Sequence, residues 1–179
     1  NKSSTVQLLA DVTLTDALLL SGTVTLDLNG KKLSAPGCLF TTATGAQSLT
    51  LINTAETQAA TVKAITLIEF NQSDALTIGR TDGTASNIQF DLGTELFAVA
   101  DRTDLTGCSI NIYGGAFTSN YNYAIDASIA SAKPAPFRLL IQGGTFTGKK
   151  AGVRIVGDNI KPTITGGSFY SNPTYHEDI

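Results

Sequence analysis

The stretch that decides the fold is "INIYGGAFTSN" at residues 110–120, because its central phrase returns twice further along the chain. The second copy is "LIQGGTFTGK" at 140–149 and the third is "TITGGSFYSN" at 163–172. Each copy has an apolar residue, any residue, Gly-Gly, a small residue and Phe. We predict that each is one corner of a repeating coil, where Gly-Gly bends the backbone through positive φ or close approach.

The three phenylalanines of these copies are Phe117, Phe146 and Phe169. If each ring points inward from the face that follows the corner, equivalent rings of successive coils lie above one another. We therefore predict that all three are buried and form an internal aromatic stack.

Apolar residues alternate with polar ones along much of the chain, which is typical of short strands. Helical spacing is scarce, and the two segments that have some of it, 56–70 and 124–132, are interrupted by β-branched residues or serine, so both are predicted to be mostly coil or strand. The alternating apolar positions are Val24, Leu26 and Leu28; Leu49 and Leu51; Leu76 and Ile78; and Ile88, Phe90 and Leu92.

The strands recur at a nearly constant distance. From Leu26 the next equivalent positions follow at intervals of 25, 27, 34, 29 and 23 residues, and the long interval leaves room for an extra strand at 88–92. Such a period fits three short strands in one turn of a parallel β-helix, in which stacked neighbours close the core. We predict one all-β domain over residues 1–179, a parallel β-helix of about six to seven coils.

Composition excludes several classes of partner. A net charge of −3 and a pI near 5.0 give no basic field for nucleic acid or an anionic membrane. The apolar run at 17–20 is far shorter than a membrane span, and no signal sequence opens the chain, so the protein is either cytosolic or begins after a removed signal.

Cys38 and Cys108 are either two small buried hydrophobes, which is the favoured interpretation, or a disulfide.

Three segments resemble a known family. "VQLLADVTLTDALLLSGTVTLDLNGKKLS" (6–34), "LTLIN" (49–53) and "ITGGSFYSNPTY" (164–175) are similar to right-handed parallel β-helix domains of cell-surface proteins of gut Firmicutes, whose broader relatives are pectate-lyase-like. The resemblance implies a right-handed helix in an extracellular, wall-associated protein that contacts glycans or adheres to a host surface. It also places the signal peptide and the anchor outside this sequence.

Catalytic chemistry has weak support in the residues. The paired aspartates, Asn-Thr-Asp and Gly-His-Gly phrases of pectin hydrolases are absent, and the single histidine is His176. Two carboxylates suffice for a glycosidase, but scattered surface acids are the better explanation of the formal candidates, which are Asp82, Asp91, Asp101, Asp104 and Asp126.

The most lyase-like stretch is "VADRTDLTG" at 99–107, which puts Asp101, Arg102 and Asp104 in one loop. A lyase would hold calcium with carboxylates and remove a proton with a basic residue. We favour a solvated turn for this loop. Arg154 is predicted to face outward, and substrate binding is its minor alternative.

The best candidate for ligand contact is "TSNYNYAID" at 118–126, which contains Tyr121, Asn122 and Tyr123. On an extended backbone both rings face the same side and could cover a sugar face. The favoured alternative is one inward ring and one partly exposed ring. The remaining tyrosines either extend an aromatic strip along the coils or pack against neighbouring turns; they are Tyr113, Tyr170 and Tyr175.

The sequence therefore predicts a non-catalytic surface module that binds a glycan or a host surface protein, without a metal or cofactor and with the oligomeric state left open. A polysaccharide lyase or glycoside hydrolase on the same scaffold is one alternative, and a structural stalk is another. Residues 1–20 are predicted to cap the first coil, and the natural chain is predicted to continue past Ile179.

Overall fold

The structure is a computed structural model that describes residues 3–55, 57–71, 73–99, 107–128, 137–157 and 160–172. All regular secondary structure in these residues is β-strand, and none of it is a helix that could span a membrane. The strands in chain order are β1 (Ser3–Gln7), β2 (Val12–Thr13), β3 (Leu18–Leu20), β4 (Thr23–Asp27), β5 (Lys32–Ser34), β6 (Cys38–Thr42), β7 (Ser48–Ile52), β8 (Ala60–Ala64), β9 (Thr66–Phe70), β10 (Ala75–Ile78), β11 (Ile88–Leu92), β12 (Phe97–Val99), β13 (Ser109–Ile112), β14 (Ala116–Ser119), β15 (Tyr123–Ser128), β16 (Phe137–Ile141), β17 (Thr145–Gly148), β18 (Ala151–Val156), β19 (Ile160–Ile164) and β20 (Ser168–Ser171).

Every third strand belongs to the same face of a solenoid. The first sheet has the order β1-β4-β7-β10-β13-β16-β19 and the second β2-β5-β8-β11-β14-β17-β20, while the third face is divided into β12-β9-β6-β3 and β15-β18. The pairings are all parallel. This confirms the predicted all-β parallel β-helix, and its right-handed sense stays a prediction.

The number of coils differs slightly from the six to seven predicted, and the three faces do not have the same number of strands. Seven strands stack in each of the first two sheets, whereas the third face has six strands in two separate sheets. The prediction that residues 1–20 form a cap stays a prediction. Residues 3–20 contain β1, β2 and β3, which pair in parallel with β4, β5 and β6.

The register of the first sheet follows the spacing of the sequence. The segment 88–92 is not an extra strand, because β11 is the regular second-sheet strand of its coil; the long interval instead includes the loop 79–87 and residues 100–108. The in-register pairs of the first sheet include Leu26 with Leu51, Leu51 with Ile78, Ile78 with Ile112, Ile112 with Ile141, and Ile141 with Ile164.

The two segments with partial helical spacing are strands wherever the structure describes them. Residues 57–70 contain β8 and β9, and residues 124–128 belong to β15; residues 56 and 129–132 lie outside the described part. The alternating apolar side chains of these strands point into one continuous core between the three faces. Burial of this core therefore outweighs the local helical spacing.

The two glycines of each corner have different tasks. The second glycine has positive φ in all three copies, at 107° for Gly115, 107° for Gly144 and 109° for Gly167. The first glycine leaves room for the coil before it, since a Cβ on Gly143 would lie 2.9 Å from the Tyr113 carbonyl oxygen. Both predicted reasons for Gly-Gly, positive φ and close approach, are thus confirmed.

The aromatic stack follows these corners, and it is longer than predicted. Phe90, which lacks a Gly-Gly corner, stacks on Phe117 with ring centroids 4.5 Å apart. Phe146 continues the stack and is fully buried. The prediction that Phe169 is buried is wrong: it stacks on Phe146 at 5.2 Å but is 41% exposed, because no described coil follows to cover its outer side.

Candidate functional site

The tyrosine pair lies where the second face turns into the third. Residues 120–122 connect β14 to β15, and this turn rests on the equivalent turn of the next coil. The Lys149 backbone N–H donates to the Tyr121 carbonyl oxygen at 2.9 Å, and the Lys150 N–H donates to the Asn122 carbonyl oxygen at 2.8 Å. The Tyr121 N–H also donates to Ser119 Oγ at 3.0 Å. These backbone contacts hold the predicted contact residues in one turn.

The two rings have different environments. The Tyr121 side chain is 50% exposed, whereas Tyr123 begins β15 and is half-buried. The Arg154 guanidinium lies 5.4 Å from the centroid of the Tyr123 ring and 3.4 Å from Asp126 Oδ2. Neither ring is therefore in the core, and the Arg154 guanidinium lies over one face of the Tyr123 ring.

An apolar groove adjoins this turn at the C-terminal end of the described solenoid. It has a volume of about 500 Å³ and runs between β18 and β20. Tyr170 and Phe169 on one wall are 54% and 41% exposed, and Lys150 connects the other wall to the turn. We call the turn 120–122, Tyr123 and this groove the aromatic surface.

The remaining tyrosines are divided in their placement. Tyr113 is half-buried beside Gly79, so it packs against a neighbouring turn, while Tyr170 belongs to the aromatic surface. Tyr175 lies outside the described residues. Arg154, predicted to face outward, is exposed and is occupied by its contacts with Tyr123 and Asp126.

The residues of the enzyme alternative are not assembled by the described part of the structure. Asp101, Arg102 and Asp104 lie outside the described residues, as does His176. The other three candidate acids are separated: Asp82 lies in the loop 79–87, and Asp91 and Asp126 lie on β11 and β15, in different sheets.

Two of those acids have basic partners. Lys63 Nζ lies 2.8 Å from Asp91 Oδ2, and Arg154 contacts Asp126. Among the described residues no cluster of three or more His, Cys, Asp or Glu side chains could hold a metal ion.

Cys38 and Cys108 are not joined by a disulfide, and they lie on different faces of the solenoid. Cys108 is fully buried before β13, and its Sγ donates to the Asn71 carbonyl oxygen at 2.9 Å. Cys38 on β6 is half-buried, and burial raises the pKa of its thiol. The favoured interpretation as small core residues fits Cys108 fully and Cys38 in part.

A buried polar corner between the first and second faces was missed in the sequence. Asn53 is 2% exposed; its Oδ1 accepts from the Gly30 N–H at 2.7 Å, and its Nδ2 donates to the Gln58 and Asn87 carbonyl oxygens, each at 2.8 Å. The side-chain amide of Asn53 thus connects three successive coils by hydrogen bonds. An Asp or Asn near the end of an apolar run, as at Asp27 and Asn53, was the available signal.

A second groove opens over this corner. It has a volume of about 500 Å³, and its lining includes buried Asn53 and exposed Arg80. We call it the Arg80 groove; its full lining is Asn53, Thr54, Ala55, Arg80, Thr84, Ala85 and Asn87.

The wall of the Arg80 groove formed by residues 79–87 is hydrogen-bonded within itself. The Arg80 N–H donates to the Thr84 carbonyl oxygen at 3.0 Å, and Asp82 Oδ1 accepts from both the Thr84 N–H and its hydroxyl at 2.9 and 2.6 Å. These bonds from the Thr84 side chain and backbone lower the pKa of Asp82. The carboxylate of Asp82 is therefore charged at neutral pH.

Comparison of the chain with known protein families, with curated protein sequences and with solved structures finds no match. The fold therefore rests on the strand pairing described above. The activity must be argued from the two surface features, the aromatic surface and the Arg80 groove.

Proposed function

We propose that the protein is a non-catalytic binding module whose aromatic surface contacts a glycan. The observation that carries the proposal is the exposure of Tyr121 in a turn that Lys150 links to a groove with exposed Tyr170 and Phe169. A flat ring covers a sugar face at little entropic cost, because a tyrosine side chain has few rotatable bonds to order.

The hydrogen-bonded support of the turn favours this role. A ring that binds a sugar loses less entropy when its backbone is already fixed, and the turn 120–122 is fixed from the coil that follows it. The Asn122 side chain is half-buried beside the ring and offers an amide donor and an acceptor to hydroxyl groups. Tyr121, Asn122 and Tyr123 are thus proposed as the contact residues.

The groove extends the same surface in one direction. Its walls are largely apolar, with Val153 and Ile155 from β18 facing Ile164 and Phe169. An extended oligosaccharide has apolar C–H faces and polar edges, so it suits a groove with an apolar floor and polar ends. The proposed ligand is therefore a chain of sugars rather than a single free sugar.

A glycan array with the purified chain tests this proposal. Bound glycans should lose about tenfold in affinity, or about 1.4 kcal/mol, on Tyr121→Ala and on Tyr170→Ala. Leu9→Ala is the matched control, because Leu9 is an apolar residue that is 82% exposed on the first coil. Equal losses in all three variants would contradict the assignment of the surface.

Absence of any bound glycan would favour the stalk, in which the solenoid only spaces other domains. Release of reducing ends or unsaturated products from pectin, polygalacturonate or alginate would instead favour the enzyme. The glycan array and the product-release assay use the same protein preparation, and together they separate the three functions.

A further inference from the structure

The Arg80 groove has an arginine whose side chain is available. Among the residues that the structure describes, the Arg80 guanidinium makes no hydrogen bond or ion pair, although Asp82 attracts it electrostatically. The hydrogen bonds of the loop 79–87 with described residues are made by its backbone or by the side chains of Asp82, Thr84 and Ser86. The planar guanidinium can therefore give two parallel N–H donors to a ligand, which is the geometry that a carboxylate accepts.

Two threonine hydroxyls in the lining of the same groove already donate hydrogen bonds to carboxylates. Thr54 Oγ1 donates to Asp27 Oδ2 at 2.5 Å, and Thr84 Oγ1 donates to Asp82 Oδ1 at 2.6 Å. Each oxygen keeps its lone pairs, so it acts toward a ligand as an acceptor only. The group that best satisfies these acceptors is a ligand hydroxyl.

The groove is also held in shape before any ligand binds. The Asn53 N–H donates to the Ala85 carbonyl oxygen at 2.8 Å, and Ala85 has a φ of 52°. A non-glycine residue at positive φ costs about 1 to 2 kcal/mol, and such strain persists where neighbouring contacts enforce it, often at binding sites.

We propose that the Arg80 groove binds a carboxylate that carries a neighbouring hydroxyl group, with Arg80 holding the carboxylate and Thr54 and Thr84 accepting from the hydroxyl. This chemistry is found in sugar acids and in small free hydroxy acids. The site lies at the corner between the first and second faces, whereas the aromatic surface lies between the second and third faces. Each proposal can therefore be tested, and fail, independently of the other.

Four probes separate the sources and the contributing groups. We would titrate the ¹⁵N-labelled protein with glucuronate, lactate, acetate and glucose and follow the backbone amides of residues 79–87 by NMR. Of lactate, acetate and glucose, lactate should shift these amides most strongly and in a saturable way, because it alone of the three has both a carboxylate and a neighbouring hydroxyl group. Tighter binding of glucuronate than lactate identifies a sugar acid, and the reverse order identifies a free hydroxy acid.

Three substitutions test the assigned roles. Arg80→Ala should weaken lactate binding at least tenfold, and Arg80→Lys should recover only part of it, because an ammonium group lacks the planar pair of donors. Asp82→Asn should strengthen binding severalfold, since it removes a negative charge near Arg80 and keeps an acceptor for Thr84. A site for a neutral sugar would not respond to Asp82→Asn.

Arg138→Ala is the matched control, because Arg138 is an exposed arginine on β16, in the first sheet and away from this corner. Its binding should equal that of the parent protein. Unchanged lactate binding in Arg80→Ala, an equal loss in Arg138→Ala, or no saturable shift in residues 79–87 would each overturn the proposal. A matching thermal unfolding curve verifies that Arg80→Ala is folded, and Tyr121→Ala should leave lactate binding unchanged.

Discussion

Phe146 stacks on Phe117 with ring centroids 4.8 Å apart and ring planes within 2° of parallel. The centroid separation is close to the spacing of neighbouring strands, about 4.8 Å, because each ring sits at the same register position of β14 and β17. The rings thus repeat the pairing of the backbone, and the core of the second face is a column rather than a set of independent contacts.

We expect Phe146→Ala to lower the free energy of unfolding by about 3 to 5 kcal/mol, because it removes a fully buried ring and leaves a cavity between two others. Phe169→Ala removes a ring that is 41% exposed and stacked on one side, so its expected loss is smaller, about 1 to 2 kcal/mol. Equilibrium denaturation measures both. A loss below about 1 kcal/mol for Phe146→Ala would contradict the stacked core.

The corner glycines give a second prediction. Gly144→Ala places a Cβ at a φ of 107° and 2.9 Å from the Gly115 carbonyl oxygen, and we expect it to cost at least about 2 kcal/mol. Gly37→Ala is the control, because no atom lies within 4 Å of its added Cβ and its φ is not positive. Urea denaturation of both variants decides the matter, and equal stabilities would mean that the corner tolerates a side chain.

The fold could be predicted because strands that pair in a parallel β-helix recur in the sequence at a nearly constant number of residues. Leu51 and Ile78 are 27 residues apart in the chain and pair directly in the first sheet. Burial of Phe169 could not be predicted correctly, since the repeat specifies where a ring points but not whether another coil covers it. The Gly-Gly phrase likewise did not reveal that Phe90 joins the stack without a Gly-Gly corner.

The candidate site was only partly predictable. Alternation allowed both Tyr121 and Tyr123 to face outward but favoured one inward and one partly exposed ring; in the structure Tyr121 is exposed in the turn and Tyr123 is half-buried. The partner of Tyr123 is Arg154, which lies 31 residues away in the chain on the paired strand β18. The Arg80 groove was missed, because Arg80 and Asn53 belong to different coils and nothing in the local sequence of either signals the other. Contacts between coils depend on the loop lengths, which periodicity does not determine.

The strained residue of the Arg80 groove allows a third prediction. Ala85→Gly should raise the free energy of unfolding by up to about 1 kcal/mol, because relief of the positive φ outweighs the larger entropy of glycine in the unfolded chain. Ala46→Gly is the control: Ala46 is an exposed residue without positive φ, and the change there should destabilise by about 0.5 to 1 kcal/mol. Thermal and chemical denaturation should agree on the opposite signs, and a loss at both positions would contradict the strain.

The buried carboxylate of Asp27 makes stability depend on pH. Burial alone would raise its pKa, but hydrogen bonds from the Thr54 hydroxyl and N–H, from Gln7 and from the Asn29 N–H outweigh it, so the pKa is lowered from the ordinary value of 3.8. Because the folded pKa lies below the unfolded one, this contribution to stability is fully present above 3.8 and is lost as pH falls through the folded pKa.

Thr54→Val tests this directly, since it removes the hydroxyl that donates to Asp27 Oδ2 at 2.5 Å and keeps the shape of the side chain. We expect the pKa of Asp27 to rise toward its ordinary value, and stability at pH 7 to fall by about 1 kcal/mol, a reduced figure because Thr54 is exposed. Thr54→Ser, which keeps the hydroxyl, should retain most of both properties. NMR titration of the Asp27 carboxyl carbon and denaturation between neutral and acidic pH provide the two measurements. An unchanged pKa in Thr54→Val would mean that the backbone donors of Thr54 and Asn29 suffice to hold the charge, and the acid dependence of stability should then be the same in all three proteins.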